Sequence, residues 1–124
     1  MSQIYQIWTP IKDDAGYVSI ESLVDDKGGL SVLLREHGSD RFLKFLFKDR
    51  LMYQCRDESD LEGDASRSEG LGRGCLYVVK DSELLARFTK DSVRYYEGIM
   101  HFAFVTDADC IDVLALAHPS VEYL

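Results

Sequence analysis

The stretch Ile99-Met100-His101-Phe102-Ala103-Phe104-Val105-Thr106-Asp107-Ala108-Asp109-Cys110-Ile111-Asp112-Val113-Leu114-Ala115-Leu116-Ala117-His118-Pro119 decides the fold class. Ile99 to Val105 is apolar at every position but His101, as expected of a central strand covered on both sides. Thr106 then offers a hydroxyl to the amide of Asp109, with Asp107 and Asp109 in what would be a favourable first helical turn. Cys110, Ile111, Leu114, Ala115 and Ala117 recur at helical spacing, and Pro119 stops the run. The unit reads as strand, cap, helix.

Working outward, Asp81 or Ser82 can cap another helix, with Glu83 in its first turn and Leu84, Leu85 and Phe88 as its apolar residues, fraying near Asp91 or Ser92. Cys75 to Lys80 before it is a strand. Further toward the N-terminus the period falls to two. Tyr17 to Val24 and Leu30 to Arg35 flank Asp25-Asp26-Lys27-Gly28-Gly29, a strong turn signal, and form a hairpin. Arg41 to Phe47 places Leu43, Phe45 and Phe47 on one face. Leu51 to Arg56 alternates Leu51, Tyr53 and Cys55 with Met52, Gln54 and Arg56, and the two runs read as a second hairpin across Lys48-Asp49-Arg50. Ile4 to Trp8 and Val121 to Leu124 are short candidate strands. The expected fold is α+β: an antiparallel-rich sheet of about six strands with two helices in the C-terminal half, in a single domain spanning residues 1–124.

Between these elements lies Asp57 to Gly74, whose 18 residues hold six acids, four glycines and three serines. Such a composition cannot bury enough apolar surface to order itself, so a flexible acidic loop is expected over 57–74. Glu58, Asp60, Glu62, Gly63, Asp64, Ser66 and Glu69 fall at positions 1, 3, 5, 6, 7, 9 and 12 of a calcium-loop pattern. Glutamate stands where the shorter aspartate is wanted, and strands rather than helices flank the loop, so no metal is expected. Gly70-Leu71-Gly72-Arg73-Gly74 leads into a strand, not a helix, unlike a phosphate-cradling loop.

The chain of 124 residues carries 22 acidic and 14 basic residues, a net charge of −8. That balance disfavours nucleic acid and anionic membranes and suits a basic partner. Three cysteines without a C-x-x-C spacing read as reduced thiols of a cytoplasmic protein. No leader and no apolar run of membrane-spanning length is visible. No hydrolase, nucleotide or zinc motif is present, no cofactor is expected, and no catalytic residue is assigned. His101 with Cys110, oriented by Asp109 or Asp112, is the one combination that an unrecognised type of enzyme could use.

A binding or inhibitor protein therefore ranks first. Its candidate partner-binding residues are Asp57, Glu58, Asp60, Glu62 and Asp64. The profile is similar to that of the immunity proteins of bacterial toxin systems: small, cytosolic, often acidic α+β proteins. The stretch His101 to Leu114 is the part most like that family. The resemblance implies a non-enzymatic protein that neutralises a cognate toxin. The alternatives are an enzyme built on His101 and Cys110, or a calcium-binding module at 58–69.

Overall fold

Alternation of period two governs far more of the chain than helical spacing does. The computed structural model describes residues 3–8, 18–37, 40–57, 76–92, 96–106 and 109–124. These form β1 (Ile4–Ile7), β2 (Val18–Asp26), β3 (Gly29–Glu36), β4 (Phe42–Phe47), β5 (Arg50–Asp57), β6 (Leu76–Lys80), α1 (Glu83–Asp91), β7 (Met100–Val105), β8 (Asp109–Ala115) and β9 (Ser120–Tyr123). All pairing is antiparallel. One sheet has five strands in the order β1-β6-β7-β8-β5, the other four in the order β2-β3-β4-β9.

The expected α+β class is thus corrected to a mostly β architecture, with nine strands and one helix among the described residues. The second helix of that expectation is β8. The hydrogen bond foreseen from the Asp109 amide to the Thr106 hydroxyl is present at 3.1 Å, but with Thr106 N–H to Asp109 O at 2.9 Å it links the ends of β7 and β8 instead of capping a helix. Cys110, Ile111, Val113 and Leu114 are buried because both faces of the sheet are covered there. A short apolar run covered on both faces cannot be told from a buried helix by periodicity, and the β-branched Ile111 and Val113 favour the strand. Ile111 and Leu114 do not share a stripe: the register puts Ile111 beside Phe104 and Leu114 beside His101, on opposite faces.

The two sheets share one apolar core. Leu30, Val32, Leu34, Leu43, Phe45 and Phe47 from the four-stranded sheet meet Leu76, Phe102, Phe104, Ile111 and Val113 from the five-stranded one. Phe45 packs edge-on to Phe104 at 5.2 Å between ring centroids, and Phe47 lies 5.4 Å from Phe102. Each such side chain contributes about 1.5–3 kcal/mol of burial, so this layer dominates the stability.

The first expected hairpin forms, as β2 and β3. Its turn returns through Gly29, at φ 126°, where a Cβ would lie 2.6 Å from the Phe47 carbonyl oxygen; only glycine fits. The second does not form. β4 pairs with β3 and β9, while β5 pairs with β8 in the other sheet, so Lys48-Asp49 connects the two sheets. Alternation says which residues face inward but not which strand lies alongside. The Arg50 guanidinium spans back to Asp25 at 2.9 and 3.0 Å and pins this corner.

The first expected helix is α1, begun by Ser82 and ended at Ser92. It lies on the side of the five-stranded sheet away from the sandwich core. Among the described residues no helix is long and apolar enough to cross a membrane.

Candidate functional site

The outer face of the five-stranded sheet carries a buried polar centre. Alternation along β7 and β8 sends His101 and Asp112 to this face, where they are diagonal neighbours. β5 adds Gln54 directly opposite Asp112 and Arg56 one pair further on. The turn from β6 passes through Asp81, held at φ 53°, and delivers Ser82 above His101. His101 is 3% exposed and Asp112 fully buried.

The hydrogen bonds form a chain. Ser82 Oγ lies 2.6 Å from His101 Nδ1, and His101 Nε2 lies 2.8 Å from Asp112 Oδ1. Asp112 Oδ2 accepts from Gln54 Nε2 at 3.1 Å and from Arg56 Nη2 at 2.9 Å. Ser82 Oγ also accepts the Leu85 N–H at 3.0 Å, as a helix cap does. That leaves the serine proton to donate to Nδ1 and the Nε2–H to donate to Asp112, an assignment that follows from the bonding pattern. Burial alone pushes the Asp112 carboxyl up. The hydrogen bonds from His101 and Gln54 and the Arg56 charge outweigh it and hold the group below the ordinary carboxylate range.

A serine, a histidine and an aspartate in line are the components of a proton relay. Here the serine oxygen also accepts the Leu85 amide, as a helix cap, and the residue is 8% exposed. The chain of bonds ties the start of α1 to β7, β8 and β5. Gln3 adds a second tie, its Oε1 accepting the Glu83 N–H at 3.0 Å. Among the described residues Arg56 Nε is the one buried side-chain polar atom without a hydrogen-bond partner.

The expected His101–Cys110 combination takes a different form. Both ring nitrogens of His101 are engaged by Ser82 and Asp112, and Cys110 Sγ faces Asp112 Oδ2 at 4.0 Å. Cys110 lies on β8, where no helix terminus is near to lower a thiol pKa. Ser82 was legible as a cap but not as a partner of His101. Gln54 and Arg56 were legible as one face of a strand, and their polar alternation beside an apolar central strand is the signal for a buried network.

Of the candidate partner-binding residues, Asp57 is the last residue of β5 and stands opposite Asp109 in the register. Glu58, Asp60, Glu62 and Asp64 lie outside the described residues, as do the expected flexible loop beyond Asp57 and the calcium-loop pattern. Asp57 and Asp109 stand at the end of the five-stranded sheet from which that acidic sequence departs. Among the described residues no three His, Cys, Asp or Glu side chains converge as metal ligands.

A groove of about 440 Å³ runs between α1 and β5, lined by Met52, Leu84 and Phe88 with Gln54, Arg87, Asp91 and Ser92. A cleft of about 420 Å³ lies beyond the other side of α1, between Val79, Leu85 and Ile99.

Comparison with known proteins returned no family model, no curated protein and no solved structure that matches this chain.

Proposed function

We propose that this chain is a non-enzymatic binding protein that neutralises a basic protein partner in the cytoplasm, in the manner of a toxin-system immunity protein. The observation that carries the reading is the run of acids in the sequence that continues from the end of β5. Asp57 and Asp109 stand opposite each other there, and Glu58, Asp60, Glu62 and Asp64 follow directly in sequence within a chain of net charge −8. A surface of one sign steers a partner of the other and raises its rate of encounter. The engagement of Ser82, His101 and Asp112 in holding the helix supports the same reading, since those groups already have structural work.

The test begins with affinity capture of the partner from the native host. Association is then compared between the wild type and a variant carrying Asp57→Asn, Glu58→Gln, Asp60→Asn, Glu62→Gln and Asp64→Asn. The variant should associate about tenfold more slowly at low salt, with the gap closing as salt screens the field, and dissociation should change less. Equal association rates at both salt concentrations would remove these acids from the mechanism.

A further inference from the structure

A pocket of about 50 Å³ lies where the start of α1 meets the polar centre, and Gln54, Arg56, Glu83, Arg87 and Asp112 line it. Tyr5 reaches it as well, from β1, so the pocket joins side chains from the two opposite edges of the sheet. Arg56 brings an unanswered donor. Its Nη2 donates to Asp112 Oδ2 at 2.9 Å. Its Nε is buried, and among the described residues it is the one buried side-chain polar atom without a hydrogen-bond partner. A buried donor on a charged group destabilises the fold unless something accepts from it, so native proteins rarely leave one unmatched.

Size, charge and bonding chemistry together select the occupant. The volume of about 50 Å³ suits one or two water molecules, each of which fills about 30 Å³ in the liquid. It is far below the roughly 300 Å³ at which pockets for small organic ligands begin. The charges balance: Arg56 and Arg87 stand against Glu83 and Asp112, and His101 is neutral in the bonding pattern above. The lining therefore calls for neither an anion nor a cation. Guanidinium groups only donate and carboxylates only accept, so the occupant has to do both. We infer that one or two ordered water molecules occupy this pocket, and that one of them accepts the Arg56 Nε–H and donates in turn to an acceptor of the same lining. That water completes the bonding of the cation that pairs with Asp112, and it adds a bridge between β5 and the start of α1. Its place does not depend on any protein partner.

Oxygen-17 relaxation dispersion of the solvent counts the waters held long enough to tumble with the intact chain. Arg56→Met removes the donor and leaves a side chain that reaches into the same space, with circular dichroism to confirm folding. The wild type should hold about one or two more long-lived waters than this variant. Equal counts in the folded variant would overturn the inference. If Arg56→Met does not fold, the Arg56 Nε–H resonance of the wild type decides. Cross-peaks to water of opposite sign in laboratory-frame and rotating-frame Overhauser spectra are expected, because they mark a bound water. Cross-peaks of one sign, or none, mean exchange with bulk solvent or no contact, and overturn it. Tyr5 carries the one hydroxyl among the described lining residues, so the same cross-peaks are required in Tyr5→Phe, and their loss there would assign them to the phenol instead. A saturable shift of the Arg56 resonance on adding phosphate at constant ionic strength would replace water with an anion and overturn the inference as well.

Discussion

The two faces of the five-stranded sheet are built from the same strands and have opposite chemistry. On the inner face Phe102, Phe104, Ile111 and Val113 meet the other sheet in one apolar cluster. On the outer face the intervening residues, His101 and Asp112, lie in a bonded network with Gln54, Arg56 and Ser82. Nearby on that outer face, Tyr5, Tyr77, Val79, Ala103, Val105 and Cys110 form a smaller apolar cluster. The inner face is held by area and shape, which are forgiving of chemistry provided volume is kept. The outer face is held by direction, since each buried polar group costs free energy unless its partner stays in place. The lesson is that burial on both faces does not make a strand uniform. One side stabilises the fold, and the other positions the helix that walls the groove beside β5.

Substitutions can break this comparison from either side. The largest loss is expected from Phe104→Ala on the inner face, about 3–5 kcal/mol in urea unfolding, as for other buried aromatics. A loss near 1 kcal/mol would mean the aromatic layer repacks freely and is not the dominant core. Leu114→Ala, on the outer face and fully buried, should cost about 2–5 kcal/mol. A result within the surface range of about 0.5 kcal/mol would show that α1 leaves this face open to water.

Asp112 sharpens the contrast through pH. Its folded-state carboxyl lies below the ordinary range, so on acidification the unfolded chain binds the proton first. The stabilisation is complete above the unfolded carboxyl value of about 4 and is lost as pH falls from there through the folded value. Unfolding free energies measured across that interval should show a shallower acid slope for Asp112→Asn than for wild type. Identical slopes would mean that the network does not bind the ionised form preferentially.

The smallest effect separates two roles of one atom. Ser82→Ala removes a cap and the partner of His101 Nδ1, and should cost about 1–3 kcal/mol. Ser82→Gly keeps most of the cap, which glycine replaces at a cost of only a few tenths of a kcal/mol. The loss that remains in Ser82→Gly reports the His101 bond. If the glycine variant is as stable as wild type, Ser82 serves as a cap alone and the chain of bonds ends at His101.

Much of the inner face could be read directly from the chain. The alternation of Leu30, Val32 and Leu34, and of Leu43, Phe45 and Phe47, names core residues whichever strands they pair with, because side chains one apart in a strand point to opposite sides. The hairpin through Gly29 was equally legible, since its turn chemistry is local. So was α1, whose start rests on Ser82 and whose stripe of Leu84, Leu85 and Phe88 has helical spacing. The outer site was legible only in pieces: a histidine in an apolar strand, an aspartate thought to lie in a helix, and two polar residues alternating on a third strand.

By itself, then, the sequence determined the charge, the turn at Gly29, the first helix and the inward-facing side chains, all of which depend on residues a few positions apart. Only the tertiary structure decided that Asp109 to Ala115 is a strand, that β5 leaves β4 for the other sheet, and that Ser82, His101, Asp112, Gln54 and Arg56 converge. The reason is physical. Propensity and periodicity act over a turn or a pleat. A run that is apolar on both sides satisfies helix and strand alike until a second sheet and a helix cover its two faces. Asp112 could be buried in such a run only because Arg56, Gln54 and His101 reach it from β5 and β7.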